Sequence, residues 1–399
     1  MSRFLSYNPE QVFLLPPNVK EVLGEDHLCF FVHEVVERLD MQPFLDANSE
    51  EGGQLYHPSL MLKVWLYAYV IGLTSARRLE QRIREDLAFR YLAGGAQPDF
   101  WALNEFRRCH PVGINSAFVQ VLEMAQKLGL RRLGTVAIDS TRVKANASRD
   151  RMERISEQRQ ERAGKRRQVR RWQQACDADD PQEGAGAKVG SACQQLKRME
   201  VPKQLEALPK TAKRSCTDPD SRFLRERGGR FVLGYTGEIA VSEDHFIVAA
   251  RVTHSAHDVH ALVPMVEQVE RTCGRRPQRV LADTGFYANQ NVAELHARGI
   301  DAYVPDPNLA HELHSGIPSP GYGRMQPSDP HLLAMREKLR TEEGRRRYRK
   351  RKAIVEPVFG VLKEQRGMRT FRLRGLDKVN TEWMWATLAF NLGRLYAKR

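Results

Sequence analysis

Leu133-Gly134-Thr135-Val136-Ala137-Ile138-Asp139 is the stretch on which the reading of the fold turns. It is a short β-prone run that ends on a carboxylate, and it predicts a buried strand. Arg279-Val280-Leu281-Ala282-Asp283 repeats the pattern, a second apolar strand ending in Asp. Strand termini are where an α/β sheet presents side chains to a ligand crevice, so both aspartates are candidate site residues. Each taken alone has a plainer reading as a turn former or helix cap.

Between these runs, 231–241 and 246–253 predict two strands of a hairpin joined at Ser242-Glu243-Asp244. Helical periodicity follows over 259–273, with Leu262, Met265, Val266 and Val269 on one side. After Asp283 come a helix of about 289–298 and a short strand over 302–304. The order strand, hairpin, helix, strand, helix, strand, helix predicts a mixed sheet flanked by helices, an α/β core.

Upstream the texture is helical. Pro58 suits a first helical turn, and Leu60, Val64, Tyr67 and Ile71 recur at three-to-four spacing. Thr74 or Ser75 can cap a second helix whose apolar face holds Leu79, Ile83 and Leu87, with Arg77, Arg78, Arg82 and Arg84 solvated. Two more helices, 100–109 and 112–128, are broken at Pro111. The expected division is an N-terminal arm at 1–49, an all-α N-terminal domain at 50–130 and the α/β core at 131–395. A charged insertion interrupts the core at about 146–225. From Arg149 to Arg171 ten Lys/Arg face four Asp/Glu, which predicts a solvated charged helix or a disordered stretch. Asp177 to Gly190 is loop-like.

Lys plus Arg number 63 against 49 Asp plus Glu, a formal charge of +14 that favours a polyanion partner over mere solubility charge. Six cysteines without a Cys-x-x-Cys pair suggest neither disulfides nor a zinc knuckle, and a reducing cytoplasm is expected. The first residues turn polar too soon for a secretory signal. The apolar stretch Leu60 to Leu73 is interrupted by Lys63 and too short for a bilayer, so no membrane partner is expected.

Three blocks occur in order: Ala137-Ile138-Asp139-Ser140-Thr141, Asp283-Thr284-Gly285-Phe286-Tyr287 and Ile354-Val355-Glu356-Pro357-Val358-Phe359-Gly360. Together they resemble the signature blocks of DDE transposases from bacterial insertion sequences, over roughly 50–395. The resemblance implies a helical N-terminal transposase domain before an RNase H-like catalytic core. It also implies that Asp139, Asp283 and Glu356 are both the catalytic residues and the metal ligands. The family's third block has Tyr, two residues, Arg, three residues, Glu, six residues, and Lys or Arg. Tyr348, Arg351, Glu356 and Lys363 fit, except that four residues separate Arg351 from Glu356. Lys352 has the right spacing from Glu356 and Arg351 the right spacing from Tyr348, so either base can fill that place.

The chemistry so implied is phosphodiester cleavage at the element's ends and strand transfer into target DNA. Two Mg²⁺ ions about 3.5–4 Å apart, with Mn²⁺ as substitute, suit such in-line displacements, activating the attacking oxygen and stabilising the leaving one. The expected partners are double-stranded DNA, as terminal inverted repeats and target, and a second copy of the chain in a homodimeric DNA complex on the nucleoid. Ile354, Val355, Val358, Phe359, Val361 and Leu362 form an apolar helical face, with Glu356, Gly360 and Lys363 on another. Pro357 disfavours helical geometry at the residue before it, which places Glu356 at a helix start or kink.

The run 345–352 has seven bases in eight positions. Arg346, Arg347, Tyr348, Arg349, Arg351, Lys352 and Lys363 are the expected DNA-binding set, neutralising phosphates rather than reading bases; the competing reading is a solvated helix face. His254, His257, Asp258 and His260 form a metal-like cluster, read as caps or surface residues and not as catalytic. Trp383, Trp385, Leu388, Phe390 and Leu392 read as the core of a closing helix. A helix-turn-helix near Arg77 to Arg84 and helical packing without DNA contact are equally open. Two other classes compete with the transposase reading: a transposase-derived DNA-binding protein that no longer cuts, and a metal-dependent nuclease without strand transfer.

Overall fold

The computed structural model describes residues 18–47, 55–148, 152–154, 160, 163–171, 213–226, 229–315 and 330–399. The first helices are α1 (Val19–Leu23), α2 (Leu28–Glu37), α3 (Gln42–Leu45), α4 (Pro58–Val70), α5 (Ala76–Glu85), α6 (Leu87–Leu92), α7 (Phe100–Cys109) and α8 (Pro111–Lys127). Their starts are chemically determined. Pro58 and Pro111 occupy the first turns of α4 and α8, where a missing N–H costs nothing, and the Asp99 carboxylate accepts from Ala102 N at 2.7 Å to cap α7. Ser75 caps α5, while Asp86 ends it and caps α6. Leu87, expected on the buried face of α5, therefore starts a new helix and is exposed. Within the stretch expected as an arm, α2 is amphipathic and buries Cys29, Phe31, Val32, Val35 and Val36 against the other helices.

Eight strands follow among the described residues: β1 (Thr135–Lys144), β2 (Met152–Arg154), β3 (Lys213–Ser215), β4 (Arg222–Arg225), β5 (Phe231–Ser242), β6 (Ile247–Thr253), β7 (Arg279–Ala282) and β8 (Asp301–Tyr303). The main sheet runs β6-β5-β1-β7-β8, with β4 pairing the start of β5. β5 is antiparallel to β1 and β6, whereas β1, β7 and β8 are parallel. This is the expected RNase H-like mixed sheet, preceded by an all-α region. Helices α9 (Leu262–Cys273), α10 (Asn289–Ala297), α11 (Pro307–Ser315), α12 (Pro330–Arg340), α13 (Glu342–Gly360) and α14 (Leu376–Tyr396) complete the chain.

Two further expectations change. The first strand does not end at Asp139, because β1 continues through Ser140-Thr141-Arg142-Val143-Lys144 along β5. Ser140, Thr141 and Arg142 are polar and half-buried there, in place of the continuous apolar run, so hydrophobicity alone stops short. Glu356 is not at a helix start, for α13 runs from Glu342 past Pro357 to Gly360, which leaves the expected kink at an internal proline. The local cost of Pro357, which has no N–H to donate, is followed by a π-helical turn at Val361–Gln365.

The insertion is partly woven into the core. β2 pairs with β3, residues 163–171 are helical, and the loop expected at 177–190 lies outside the described residues. Buried Asp218 accepts from Tyr235 Oη at 2.6 Å and Gly375 N at 3.1 Å, and Asp220 accepts from Leu376 N at 3.0 Å. Both carboxylates thus satisfy amides at the start of α14.

The closing helix α14 joins the layers. Trp383, Trp385, Leu388, Phe390 and Leu392 are buried, as expected. Asn391 donates to Ile247 O at 2.8 Å and accepts from Ile247 N at 2.9 Å, and Asn380 accepts from Val252 N at 2.8 Å. These side chains cover the edge of β6, whose backbone groups would otherwise be unpaired. At the α4–α5 turn Gly72 has φ +82°, and a Cβ there would collide with Gln365 O. No helix among the described residues is long and apolar enough to cross a membrane.

Candidate active-site cleft

The parallel pairing of β1 with β7 sets the first two carboxylates together. Ile138 is in register with Ala282, so Asp139, the next residue of β1, stands beside Asp283, the first residue after β7. Helix α13 packs Ile354, Val355 and Val358 into the core and leaves Glu356 exposed. Asp139, Asp283 and Glu356 thereby line one cleft of about 540 Å³, together with Arg142, Asp258 and Lys363.

The three carboxylates differ in their surroundings. Asp139 is buried: Oδ1 accepts from Ser140 N and Oδ2 from Arg351 Nη1, each at 2.8 Å. Asp283 does serve as a cap, with Oδ1 accepting from Gly285 N at 2.9 Å, so the cap reading and the cleft position hold at once. Glu356 makes no hydrogen bond or ion pair among the described residues. Nor do any three His, Cys, Asp or Glu side chains among those residues stand close enough to enclose an ion. The donor set is all carboxylate and open, which fits a hard ion that keeps several waters and borrows phosphate oxygens.

The structure sorts the basic run. Arg351 is buried against Asp139, while Lys352 is exposed, so it is Arg351 that faces the carboxylates. Burial works against the Arg351 charge, yet Asp139, Tyr348 and Asp283 together outweigh it and hold the guanidinium above its ordinary pKa. Tyr348 lies beside it, half-buried, and burial pushes its hydroxyl above the usual range. Arg346 pairs with Glu343, and Arg347 donates to Glu343 at 2.6 Å and to Tyr303 Oη at 3.2 Å. Arg345, Arg349 and Lys352 are exposed and make no ion pair among the described residues. With Glu356 they follow one another at three- and four-residue steps, on one helix face that leads to the cleft. Burial pulls the Lys363 ammonium below its usual value, and Nζ donates to Arg142 O at 3.1 Å.

Reading the sequence alone missed Asp258, Arg142, Arg225 and Glu226, all of which line the cleft. Of the expected cluster, His254, His257 and His260 do not line the cleft, whereas Asp258 does. The signal available was the position of Asp258 between a strand and a helix. What it faces depends on how the chain returns to β7.

Residues 203–392 match the Transposase DDE domain, and residues 17–109 match the Transposase domain (DUF772). The first match includes Asp283 and Glu356; Asp139 falls between the two, on the far side of the insertion. No curated protein matches the chain significantly. A solved structure, the Mos1 transposase paired-end complex with left transposon end, aligns at 11% identity over 92% of this chain and 96% of that one. The TM-score of that alignment is 0.19.

Proposed function

Because the chain belongs to the DDE transposases, we propose that it cuts DNA at the ends of its element and joins the exposed 3′-hydroxyl to target DNA. The observation that carries this reading is the register of Ile138 with Ala282, which sets Asp139 beside Asp283 in the cleft that Glu356 also lines. Asp139, Asp283 and Glu356 would hold divalent ions, Mg²⁺ or Mn²⁺, which supply neutralisation of phosphate charge and an activated attacking oxygen. Release of Arg351 from Asp139 would free a lone pair there and a guanidinium for substrate phosphate. The helical region at 50–130 would hold the terminal repeats against the core at 131–395, in a homodimeric complex.

Incubating the purified protein with an end-labelled terminal-repeat duplex and a target plasmid tests the reading. Nicks and joined products are expected with Mg²⁺, and neither with excess chelator, which should leave the melting temperature nearly unchanged because few protein groups depend on the ion. Nicks without joined products would favour a nuclease, and tight binding without nicks a derived DNA-binding protein. Cutting in excess chelator would refute the metal site.

The exposed face of α13 makes a second expectation. Each phosphate contact adds about 0.9 to the slope of log affinity against log salt. Arg345→Ala/Arg349→Ala should flatten the slope by roughly 1 to 2 units on specific and unrelated duplex alike. Arg346→Ala/Arg347→Ala should flatten it less, since Glu343 already occupies those guanidinium groups. Equal effects of the two pairs would show that the intramolecular pairing does not matter.

A further inference from the structure

We propose that Arg142 is a phosphate clamp of the cleft and that Asp258 is the residue that positions it, an inference that rests on the DNA-cutting reading above. Arg142 stands three residues beyond Asp139 on the part of β1 that hydrophobicity does not reveal. Its Nη1 donates to Thr236 Oγ1 at 2.6 Å and to Asp258 Oδ1 at 3.2 Å, and its Nη2 to Ala256 O at 3.0 Å. Thr236 is itself oriented, donating its hydroxyl to Ser255 O at 2.7 Å. The guanidinium is therefore held at several points before any substrate arrives, which lowers the ordering cost of a phosphate contact.

Its charge is not spent in the core. The side chains of Arg142 and Asp258 remain 16% and 17% exposed, and both line the cleft. A guanidinium has five N–H donors, of which three bonds are made here, and its planar fork suits phosphate oxygens. Asp258 also stands near the catalytic group, since its Oδ2 and Asp283 Oδ1 lie 3.5 and 3.1 Å from the Cβ position of Gly285. Through Asp258, Arg142 is tied to a fourth carboxylate of the cleft that the DDE set does not use. A partly exposed ion pair contributes little to stability, so its place in the cleft is better explained by alignment than by folding.

The test is a double-mutant cycle with Arg142→Ala, Asp258→Ala and the pair, plus Arg142→Lys, on the full chain after each variant is shown to melt cooperatively. Single-turnover cleavage, the salt dependence of duplex affinity, and Mn²⁺ affinity by electron paramagnetic resonance without DNA are measured. Arg142→Ala should slow cleavage about 10²-fold, as loss of one transition-state donor does, and flatten the salt slope by about 0.9. Arg142→Lys should recover only part of the rate, because an ammonium cannot reproduce the fork. Asp258→Ala should slow cleavage alone but by less than about two-fold in the Arg142→Ala background, with Mn²⁺ affinity unchanged.

Additive losses, or a fall in Mn²⁺ affinity with Asp258→Ala in both backgrounds, would overturn the positioning role and make Asp258 an ion ligand. An unchanged slope and rate in Arg142→Ala would remove the clamp. If the wild type binds duplex without cutting it, the cutting reading fails, and a flattened slope in Arg142→Ala still upholds the phosphate contact.

Discussion

Asp139→Asn, Asp283→Asn and Glu356→Gln will each lower strand cleavage by at least about 10³-fold while duplex binding persists, because each keeps the side chain's volume and removes an ionised group that we propose holds the ions. The three will differ in stability. Asp139 shares a hydrogen-bonded ion pair with Arg351 at 2.8 Å, with side chains only 11% and 6% exposed. An Asn there leaves a buried guanidinium beside a neutral acceptor, at a cost of about 1–3 kcal/mol. Asp283→Asn keeps an acceptor for Gly285 N, and Glu356 is exposed, so those two should melt close to wild type. Single-turnover cleavage of a labelled duplex and thermal unfolding check both halves. Near wild-type cutting by any one variant would remove that residue from the site, and equal stability of all three would deny the Arg351 pairing.

Trp385→Ala is expected to cost about 3–5 kcal/mol, the range for deleting a large aromatic side chain from a core. Trp385 is fully buried and packs on Tyr69, Trp65 and Phe106, with ring centroids 6.1, 6.4 and 6.2 Å away. Its Nε1 donates to Arg107 O at 3.0 Å, a backbone acceptor of α7 that the truncation leaves unpaired. Two residues earlier, Trp383 Nε1 donates to Glu238 O at 3.3 Å on β5. One helix thus packs on the N-terminal helices with one side and on the sheet with the other, so the loss should be felt in both. Denaturant unfolding, with hydrogen exchange followed on peptides from α4 and β6, should show the same fall in protection for each. Destabilisation below about 1 kcal/mol, or loss confined to α4 while β6 is unaffected, would count against a shared core.

Many of the core elements were legible along the chain. Period-two and continuous apolar runs marked β5, β6 and β7, three-to-four spacing marked several helices, Pro58 and the Thr74-Ser75 pair marked where helices start, and Pro111 marked a break, because these signals act within a few residues. The order of Asp139, Asp283 and Glu356 in their blocks was equally local. Which groups meet was not. Residue spacing left Arg351 and Lys352 equivalent as the base before Glu356, and the packing of Ile354, Val355 and Val358 against the sheet buries Arg351 on Asp139 and turns Lys352 to solvent. The basic run looked uniform until Glu343 and Tyr303 claimed Arg346 and Arg347. Asp258 entered the cleft only because β7 returns parallel to β1 and brings Asp283 and Gly285 against it. Sequence therefore determined the main strands and helices of the core and the candidate carboxylates, whose causes are short-range. Tertiary structure decided the partners, because strand register and helix rotation arise from contacts between residues far apart in the chain.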